Sequence, residues 1–485
     1  MFRELIIRTA NSLVAIGDER GRIRLIESSK ELNKDFNDVW LSFQAHNNAI
    51  IDMSFSQDDS LLATGSGDQR VRVIDMKTQQ PVCEFEDKHT ASVKVVKFQP
   101  GQANNSVLAS CSRDGNIHIY DMRCRTNAVV ARIAVTDTEE ETITLPQSRT
   151  VNTIADAHQL NSIASSSRPS SNSAADRRPV PPHRRTLARN DVNEAISVTS
   201  IAFLPTGREH LLLSASEYDS SVKLWDIRAI PRKNQIATAL AQTKCPESQN
   251  GYRQVGLTSL AVSADGSRFY AAARDNAVYV YSTPHLMLCH ASELNIKNHP
   301  RQTVHTQTRI DPMYAFRHPM LLIGSFYIKL ALRPARNGLC EMLAVGSTDS
   351  CTVLFPTDER HLASTQPDLY RYYDKSSLSR DGQFDAKRAR IVRSEKARER
   401  EEGKLKVSER GTALIEGHQR EVSSVAWNSE GALVGVSDDA LVRIWREGRD
   451  GEARSLRQAG NANGRRWNCG WADVSEAYDE TEGDE

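Results

Sequence analysis

A short unit recurs along this chain and constrains its fold more than any other feature of the sequence. In the clearest copy, Val107–Asp121, an apolar run with small residues is followed by an Asp-Gly turn and a second, alternating run. This pattern predicts two antiparallel strands joined by a tight turn. Seven copies can be counted: Leu13–Ile26, Leu61–Asp75, Val107–Asp121, Leu211–Asp226, Phe269–Tyr281, Leu343–Phe355 and Leu433–Trp445.

The spacing of the copies indicates a repeat architecture. The position of the turn aspartate falls at 20, 68, 114, 219, 275, 349 and 439. The first two intervals are close to the ~40–45-residue period of WD repeats, and the longer ones are that period plus insertions. The chain therefore resembles the WD-repeat family. The resemblance predicts an all-β fold, a seven-bladed WD-repeat β-propeller with long polar insertions and short disordered tails.

The last repeat resembles the family pattern most fully. Gly417 and His418 open it, and Val422–Trp427 is its expected inner strand. The resemblance implies a side-chain hydrogen-bond network within the blade, formed by His418, Ser437, Asp439 and Trp445. In the other repeats the position equivalent to Trp445 is mostly occupied by other residues. In the first repeat Arg20 stands where the turn aspartate is expected. We expect those repeats to lose the network and keep the apolar packing. Their residues at the Trp position are Ile26, Ile74, Tyr120, Trp225, Tyr281 and Phe355.

The way the ring closes is left open by the sequence. In WD repeats the last blade usually borrows its outer strand from the N-terminus, which protects the sheet edges. The residues before Leu13 have room for one strand, at Leu5–Ile7, where two are needed. Either the chain is short at its N-terminus, or the tail after Trp445 closes the ring.

Part of the chain is expected to lie outside the core. Hydrophobic residues make up 39%, below the ~45–50% of globular chains. We assign 1–446 to the propeller, with insertions at about 126–193, 229–250, 284–313 and 357–412, and 447–485 to a polar, acidic tail. Residues 162–185 are rich in Ser, Arg and Pro and predict disorder. Residues 386–406 alternate in charge and predict an exposed helix.

Composition and motifs argue against several classes of function. Lys plus Arg and Asp plus Glu both number 62, so the chain is not a globally basic nucleic-acid binder. The most apolar stretch, Met320–Leu332, contains Lys329 and is shorter than the ~20 residues of a membrane span. With no signal peptide, a soluble intracellular protein is expected. The eight cysteines form no C-x-x-C pair, so no metal site is expected. No catalytic motif emerges, and no cofactor, nucleic acid or membrane is expected to bind.

Two repeats end in the same four-residue motif, which we call a box. It consists of an aromatic residue, Asp, any residue and Arg. The boxes are Tyr120–Arg123 and Trp225–Arg228. They resemble the motif by which WD-repeat receptors dock on the damaged-DNA-binding adaptor of cullin-four ubiquitin ligases. An Arg fork just past a strand end suits bidentate binding to carboxylates or carbonyls. The box also occurs in propellers that bind no such adaptor. The resemblance assigns adaptor binding to Tyr120, Asp121, Arg123, Trp225, Asp226 and Arg228.

A closer resemblance is carried by several segments together. The most specific is Arg113–Cys124, and Trp40–Asp75, Val222–Arg228 and Gly417–Trp427 add to it. These segments are similar to the denticleless family, the replication-coupled substrate receptors of cullin-four RING ubiquitin ligases. The charged insertion at 357–412 departs from the family pattern. Residues 474–478 show no clamp-binding peptide like that in the tail of animal members.

The resemblance implies binding rather than catalysis. One face would dock the adaptor, and the opposite face would bind degron-bearing substrates displayed on the DNA-loaded sliding clamp, for ubiquitination and proteasomal degradation. Two alternatives remain: a non-ligase scaffold of a nuclear chromatin or RNA-processing complex, and a propeller enzyme with acids or metal ligands in the central channel. Basic clusters at 177–178, 184–185 and 387–390 are either nuclear-import patches or solvated loops. We expect location in the nucleus, with the cytoplasm as a second site.

Overall fold

The structure is a computed structural model. It describes residues 2–7, 13–29, 39–85, 89–101, 105–135, 140–158, 196–218, 220–230, 237–246, 255–288, 309–335, 341–358, 405–409, 411–414 and 417–446. The predicted disorder at 162–185, the acidic tail at 447–485 and all but the last two residues of the predicted helix at 386–406 lie outside these ranges.

The strands form seven blades arranged in a ring, and within each blade they follow one another in chain order from the inner to the outer edge. Blade 1 contains β1 (Phe2–Ile7), β2 (Leu13–Asp18), β3 (Arg22–Glu27) and β4 (Val39–Gln44). Blade 2 contains β5 (Ile50–Phe55), β6 (Leu61–Ser66), β7 (Val71–Asp75) and β8 (Pro81–Phe85). Blade 3 contains β9 (Val93–Phe98), β10 (Val107–Ser112), β11 (Ile117–Val135) and β12 (Glu140–Ile154).

The remaining four blades follow the same order. Blade 4 contains β13 (Val198–Phe203), β14 (Leu211–Ser216), β15 (Lys223–Asp226) and β16 (Ala241–Thr243), with β20 (Arg309–Ile310) added outside. Blade 5 contains β17 (Leu257–Val262), β18 (Arg268–Ala273), β19 (Ala277–Ser282) and β21 (Tyr314–Phe316), with β25 (Lys406–Ser408) outside. Blade 6 contains β22 (Leu330–Arg333), β23 (Met342–Gly346), β24 (Thr352–Pro356) and β26 (Thr412–Leu414). Blade 7 contains β27 (Val422–Trp427), β28 (Leu433–Ser437) and β29 (Val442–Trp445).

The fold prediction is confirmed, because each of the seven repeat units is the hairpin of the two strands that follow the inner strand of its blade. These middle strands are apolar without alternation because both of their faces are covered by neighbouring blades. Every residue of β2 and β14 is buried. Small residues allow the close approach: a Cβ added at Gly65 would lie 2.7 Å from a methyl group of Val93 in the next blade.

The ring closes by contact between the first and last blades. Leu5–Ile7, where the sequence has room for one strand, is part of β1, which pairs with β2 and is the inner strand of blade 1. The N-terminal strand therefore lies in blade 1 and packs beside both β5 and β27. In the described part of blade 7 there are three strands. The closing contact is apolar, and its fully buried members are Val14, Ile16, Val434 and Val436.

The insertion boundaries need correction, because outer strands lie inside the stretches assigned to insertions. The first insertion is expected at 126–193, but β11 continues to Val135 and β12 spans Glu140–Ile154. The outer strands β16, β20 and β25 likewise fall within or at the edge of the other stretches. All five outer strands of blades 4 to 6 are only two or three residues long. So short a strand carries no periodic apolar pattern, and the sequence does not reveal it.

An ion-pair cluster around a buried aspartate links blades across the ring. Asp52 in β5 is 2% exposed and accepts bonds from Lys97 Nζ of blade 3 at 2.9 Å and from Lys329 Nζ, before β22 of blade 6, at 3.3 Å. Burial acts to raise the pKa of Asp52, but the two ammonium groups hold it below its usual value. The carboxylate thus stays charged and ties three inner strands together.

The one helix among the described residues is short, α1 (Thr283–Leu288) after β19. None of the described helical residues forms a helix long and apolar enough to cross a membrane.

Truncation at the closing contact should destabilise the ring. Ile16 is fully buried between blades 1 and 7, so Ile16→Ala should cost about 2–5 kcal/mol and lower the urea midpoint of unfolding. Val39→Ala, at a position 48% exposed on β4, is the matched control and should leave the midpoint almost unchanged. Equal midpoints for the two variants would contradict closure through this contact.

Candidate functional site

The two boxes occupy equivalent positions in adjacent blades. Asp121 pairs with Val107 across the blade 3 hairpin, and Asp226 pairs with Leu211 across the blade 4 hairpin. In both boxes the next amide donates to the carbonyl of the residue directly before the first strand of the hairpin. Met122 N bonds Ser106 O at 2.8 Å, and Ile227 N bonds His210 O at 3.0 Å. Because both boxes begin at the same end of their hairpins and make the same backbone bond, both lie on the same face of the propeller.

In each box the arginine is clamped by the aspartate two residues before it. Arg123 donates from Nε and Nη2 to Asp121 at 2.9 and 2.7 Å, and Arg228 donates from the same atoms to Asp226 at 3.1 and 2.9 Å. The aspartate also accepts the backbone amide of its arginine, at 3.0 and 2.9 Å respectively. The two clamps are therefore nearly identical in geometry.

The clamps hold charged groups in fixed positions at the surface. The Arg123 hydrogen bonds hold the pKa of Asp121 below its usual value. At Asp226 partial burial acts to raise the pKa, but the hydrogen bonds from Arg228 keep the pKa of Asp226 below its usual value. The two arginine side chains remain 60% and 65% exposed. A guanidinium already oriented by its own chain loses less conformational entropy when a partner binds. The aromatic residues of the boxes, Tyr120 and Trp225, are buried in the blades.

The two boxes differ in how the chain continues. After Trp225–Arg228 the strand has ended, whereas β11 runs on past Arg123 and pairs with β12. The β11–β12 register shifts between the Tyr120–Thr150 and Arg125–Ser148 pairs. The box residues after Tyr120 therefore form a bulge, which lets the Asp121–Arg123 clamp form within a long strand.

A third copy of the same backbone turn, in blade 2, was missed by the sequence reasoning. Lys77 N donates to Asp75 Oδ1 at 2.7 Å, and Met76 N donates to Ser60 O at 2.9 Å. The turn matches the two boxes, but Lys stands in place of Arg. Lys77 is exposed and forms no ion pair with any described residue. The sequence signal for this turn is Asp75-Met76-Lys77 at the end of β7, and a search for Asp-x-Arg does not detect it.

The hydrogen-bond network is more widespread than expected. Blade 2 has Ile74 at the Trp position, yet His46 bonds Asp68 at 2.9 Å and Thr64 at 2.7 Å. Blade 3 has Tyr120, yet His89 bonds Asp114 at 3.0 Å and Ser110 at 2.7 Å. The expectation that these repeats lose the network is therefore wrong. The bonds to His do not need an indole, because the Thr or Ser hydroxyl and the turn Asp satisfy both ring nitrogens.

Blade 4 obtains its histidine from far along the sequence. His158, which follows β12, bonds Ser214 Oγ at 2.9 Å, and Trp225 Nε1 donates to the same hydroxyl at 2.8 Å. Sequence reasoning did not identify His158, since it lies 56 residues before Ser214, its partner in the blade. Asp219, the turn residue assigned to this repeat, lies outside the described residues.

In blade 7 one member of the predicted network needs correction. His418 bonds Asp439 at 3.1 Å and its ring lies 5.4 Å from the Trp445 ring, as a network requires. The Ser437 hydroxyl instead donates to Arg420 O and accepts the Asp439 amide. The position equivalent to Ser110 and Ser214 is two residues earlier, at Gly435. A Cβ there would lie 2.8 Å from the Trp445 ring, so this blade accommodates the indole without a hydroxyl.

Among the described residues, one group of side chains could ligate a metal ion, but its ligand atoms already form hydrogen bonds within the blade. Ligand atoms of His89, Asp114 and His118 lie within 4.8 Å of one another. Both nitrogens of His89 are engaged by Asp114 and Ser110, and His118 Nδ1 lies 2.9 Å from Thr153 Oγ1. These residues form a hydrogen-bond network inside blade 3.

Comparison with known proteins agrees with the repeat architecture. The family model "WD domain, G-beta repeat" matches residues 38–75, 79–121, 190–226 and 410–446. The Schizosaccharomyces pombe "Cell division cycle protein cdt2" is 29% identical over 457 residues, covering 92% of this chain and 69% of that protein. The Xenopus laevis "Denticleless protein homolog B" is 25% identical over 448 residues, covering 91% and 47%. The human "Denticleless protein homolog" is 25% identical over 304 residues, covering 62% and 36%.

The chain is thus a WD-repeat β-propeller, as its seven blades and its repeat matches establish. Within this class it is a denticleless-like WD-repeat protein, similar over nearly its whole length to Cdt2 of fission yeast. It spans about half the length, or less, of the vertebrate relatives it matches.

Buried histidines should make the propeller sensitive to acid. Burial holds the pKa of His158 well below its usual value and lowers that of His318 to about 4. An unfolded chain binds these protons near pH 6.5, so stability is full above that pH and falls below it. Each such His contributes up to about 1.4 kcal/mol per pH unit. The urea midpoint should therefore decrease from pH 7 to pH 5.

The matched variants separate this effect from general acid sensitivity. His158→Gln should reduce the dependence of the urea midpoint on pH, whereas His285→Gln, at an exposed position of α1, should leave it unchanged. An equal pH dependence in wild type and in His158→Gln would contradict the assignment of a buried, neutral imidazole.

Proposed function

We propose that this chain is the substrate-recognition subunit of a cullin-four RING E3 ubiquitin ligase. It docks on the damaged-DNA-binding adaptor of that ligase and recruits replication-linked proteins for ubiquitination and proteasomal degradation. The site on which the proposal rests is a surface for binding and has no catalytic role.

The observation that carries the proposal is the pair of clamped arginines. Arg123 and Arg228 are held alike, in neighbouring blades, on one face, and both remain mostly exposed. Arginine is enriched among the residues that dominate binding energy at protein interfaces. Its planar fork suits carboxylate and carbonyl acceptors. Two such groups with the same orientation fit one extended partner surface, and the similarity to the denticleless proteins suggests the adaptor as that partner.

In the proposed mechanism the protein acts by positioning the substrate for ubiquitin transfer. A receptor that holds a substrate beside a charged ubiquitin-conjugating enzyme raises the effective concentration of the substrate lysine. We propose further that the substrates carry degrons displayed on the DNA-loaded sliding clamp, and that the protein acts in the nucleus. The second candidate function is a non-ligase scaffold of a nuclear chromatin or RNA-processing complex, favoured by the two broad faces that any propeller offers to partners.

Removal of both arginines tests adaptor docking. Arg123→Ala combined with Arg228→Ala should abolish pull-down of the adaptor, because each truncation removes a contact worth about 2 kcal/mol or more. The exposed side chains can be removed without unfolding, which circular dichroism will check. Lys77→Ala removes a cation from the matching turn that lacks the clamp and should retain pull-down. Full adaptor binding by the double variant, or none by folded wild type, would favour the scaffold alternative.

The aspartates of the clamps should act as positioning residues. Asp226→Asn keeps the shape of the box but removes the charge that orients Arg228, so adaptor affinity should fall a few-fold, by less than in Arg228→Ala. Adding Asp226→Asn to Arg228→Ala should cause no further loss, because both changes act on one group. Additive losses would show that Asp226 contacts the adaptor by itself.

A further inference from the structure

An open pocket of about 380 Å³ lies on the face opposite the two boxes. Its lining includes Lys94, Arg113 and Ser197 together with Phe326 and Tyr327. The β10–β11 register identifies the face. Arg113 lies in the turn beyond the Cys111–Ile117 pair, whereas the box begins at the other end of the hairpin, where Val107 pairs with Asp121.

The pocket combines aromatic walls with an excess of positive charge. Lys94 Nζ lies 5.1 Å from the centre of the Tyr327 ring, and the Arg274 guanidinium lies 4.6 Å from that of Phe326. Among its described lining residues Lys94 and Arg113 are cationic and Glu217 is the one carboxylate. Neither cation has an ion-pair partner within 4 Å among the described residues.

The electrostatic environment of Lys94 favours an anionic ligand. Burial lowers the pKa of Lys94, and repulsion from Lys329 and Arg113 lowers it further, against a smaller opposing effect of Glu217. Asp52 supplies only one negative charge for the two ammonium groups of Lys329 and Lys97. An anion in the pocket would relieve the remaining repulsion and restore the favourable charged state of Lys94.

A buried hydroxyl in the pocket lacks a partner. Ser197 is fully buried, and its Oγ forms no hydrogen bond with any described residue. The neighbouring Thr199 hydroxyl, by contrast, donates to Leu257 O at 2.7 Å. Leaving a buried hydroxyl unpaired costs about 1–3 kcal/mol. A ligand with an acceptor oxygen in the pocket would satisfy it.

We propose that this pocket binds a negatively charged side chain of a partner peptide, with an adjacent apolar residue packed on Phe326 and Tyr327. The anionic oxygens pair with Lys94 and Arg113 and accept the Ser197 hydroxyl. Aspartate, glutamate and phosphoserine supply the same chemistry. The proposal deepens the proposed function, since it assigns a ligand class to the face that stays open when the boxes are docked.

The test uses a phage library of random 12-residue peptides selected on the full chain. Selected peptides should be enriched in Asp or Glu next to an apolar residue. Synthetic copies should lose affinity at least ~10-fold when the acid becomes Asn or Gln, and by a similar factor on the chain carrying Lys94→Met with Arg113→Gln. A phosphoserine version separates the two sources: tighter binding than the carboxylate peptide identifies a phosphopeptide, and weaker binding identifies an acidic one.

Controls keep the outcome specific to the pocket. Lys77→Met makes the same change of residue type on the opposite face and should leave peptide affinity unchanged. Selection of basic peptides, selection of none, or acidic peptides that bind the Lys94/Arg113 variant as tightly as wild type would overturn the proposal.

The proposal of adaptor docking and the proposal of peptide binding can be disproved independently of each other. Arg123→Ala with Arg228→Ala should keep peptide binding while losing the adaptor, and Lys94→Met with Arg113→Gln should keep the adaptor while losing the peptide. Circular dichroism and the urea midpoint of each variant show that the loss is not one of folding.

Discussion

The structure depends on the burial of each blade against its two neighbours. A single blade of three to five short strands cannot bury both of its apolar faces, so no blade is stable without the next. The middle strands are therefore apolar on both sides, as in β2 and β14, and small residues such as Gly65 set the distance between blades. The same requirement joins the first blade to the last through Ile16 and Val436.

The rigid ring explains how exposed loops can present fixed chemistry. Tyr120 and Trp225 anchor the two boxes in the blades, and in both boxes the amide two residues later donates to the residue directly before the hairpin. Asp121 and Asp226 then orient the arginines at the surface. Each clamp satisfies a carboxylate and a guanidinium within three residues of chain, and this local pairing makes the arrangement repeat so closely from blade 3 to blade 4. The opposite face is built by different segments, from the starts of inner strands and from residues 325–327.

The histidine networks show how a repeat tolerates a changed sequence. Blades 2 and 3 keep their His–Asp and His–hydroxyl bonds although Ile74 and Tyr120 replace Trp. Blade 7 keeps Trp445 and gives up the hydroxyl at Gly435. What these three blades have in common is a buried imidazole that hydrogen-bonds the turn aspartate, because leaving a polar group unpaired at such a site is costly. The choice of partner differs with the space that the neighbouring side chains leave.

The sequence by itself determined the repeat, the number of blades, the seven central hairpins and the position of both boxes, since all of these are written in local patterns of apolar residues, turns and short motifs. Only the tertiary structure decided that β1 lies in blade 1 beside β27, that His158 serves blade 4 across a long stretch of sequence, and that Lys94, Arg113 and Ser197 meet in one pocket. These features join residues distant in sequence, and no local pattern encodes them. They follow from the circular packing of blades, which brings the first strand beside the last and sets segments from blades 3, 4 and 6 around one axis.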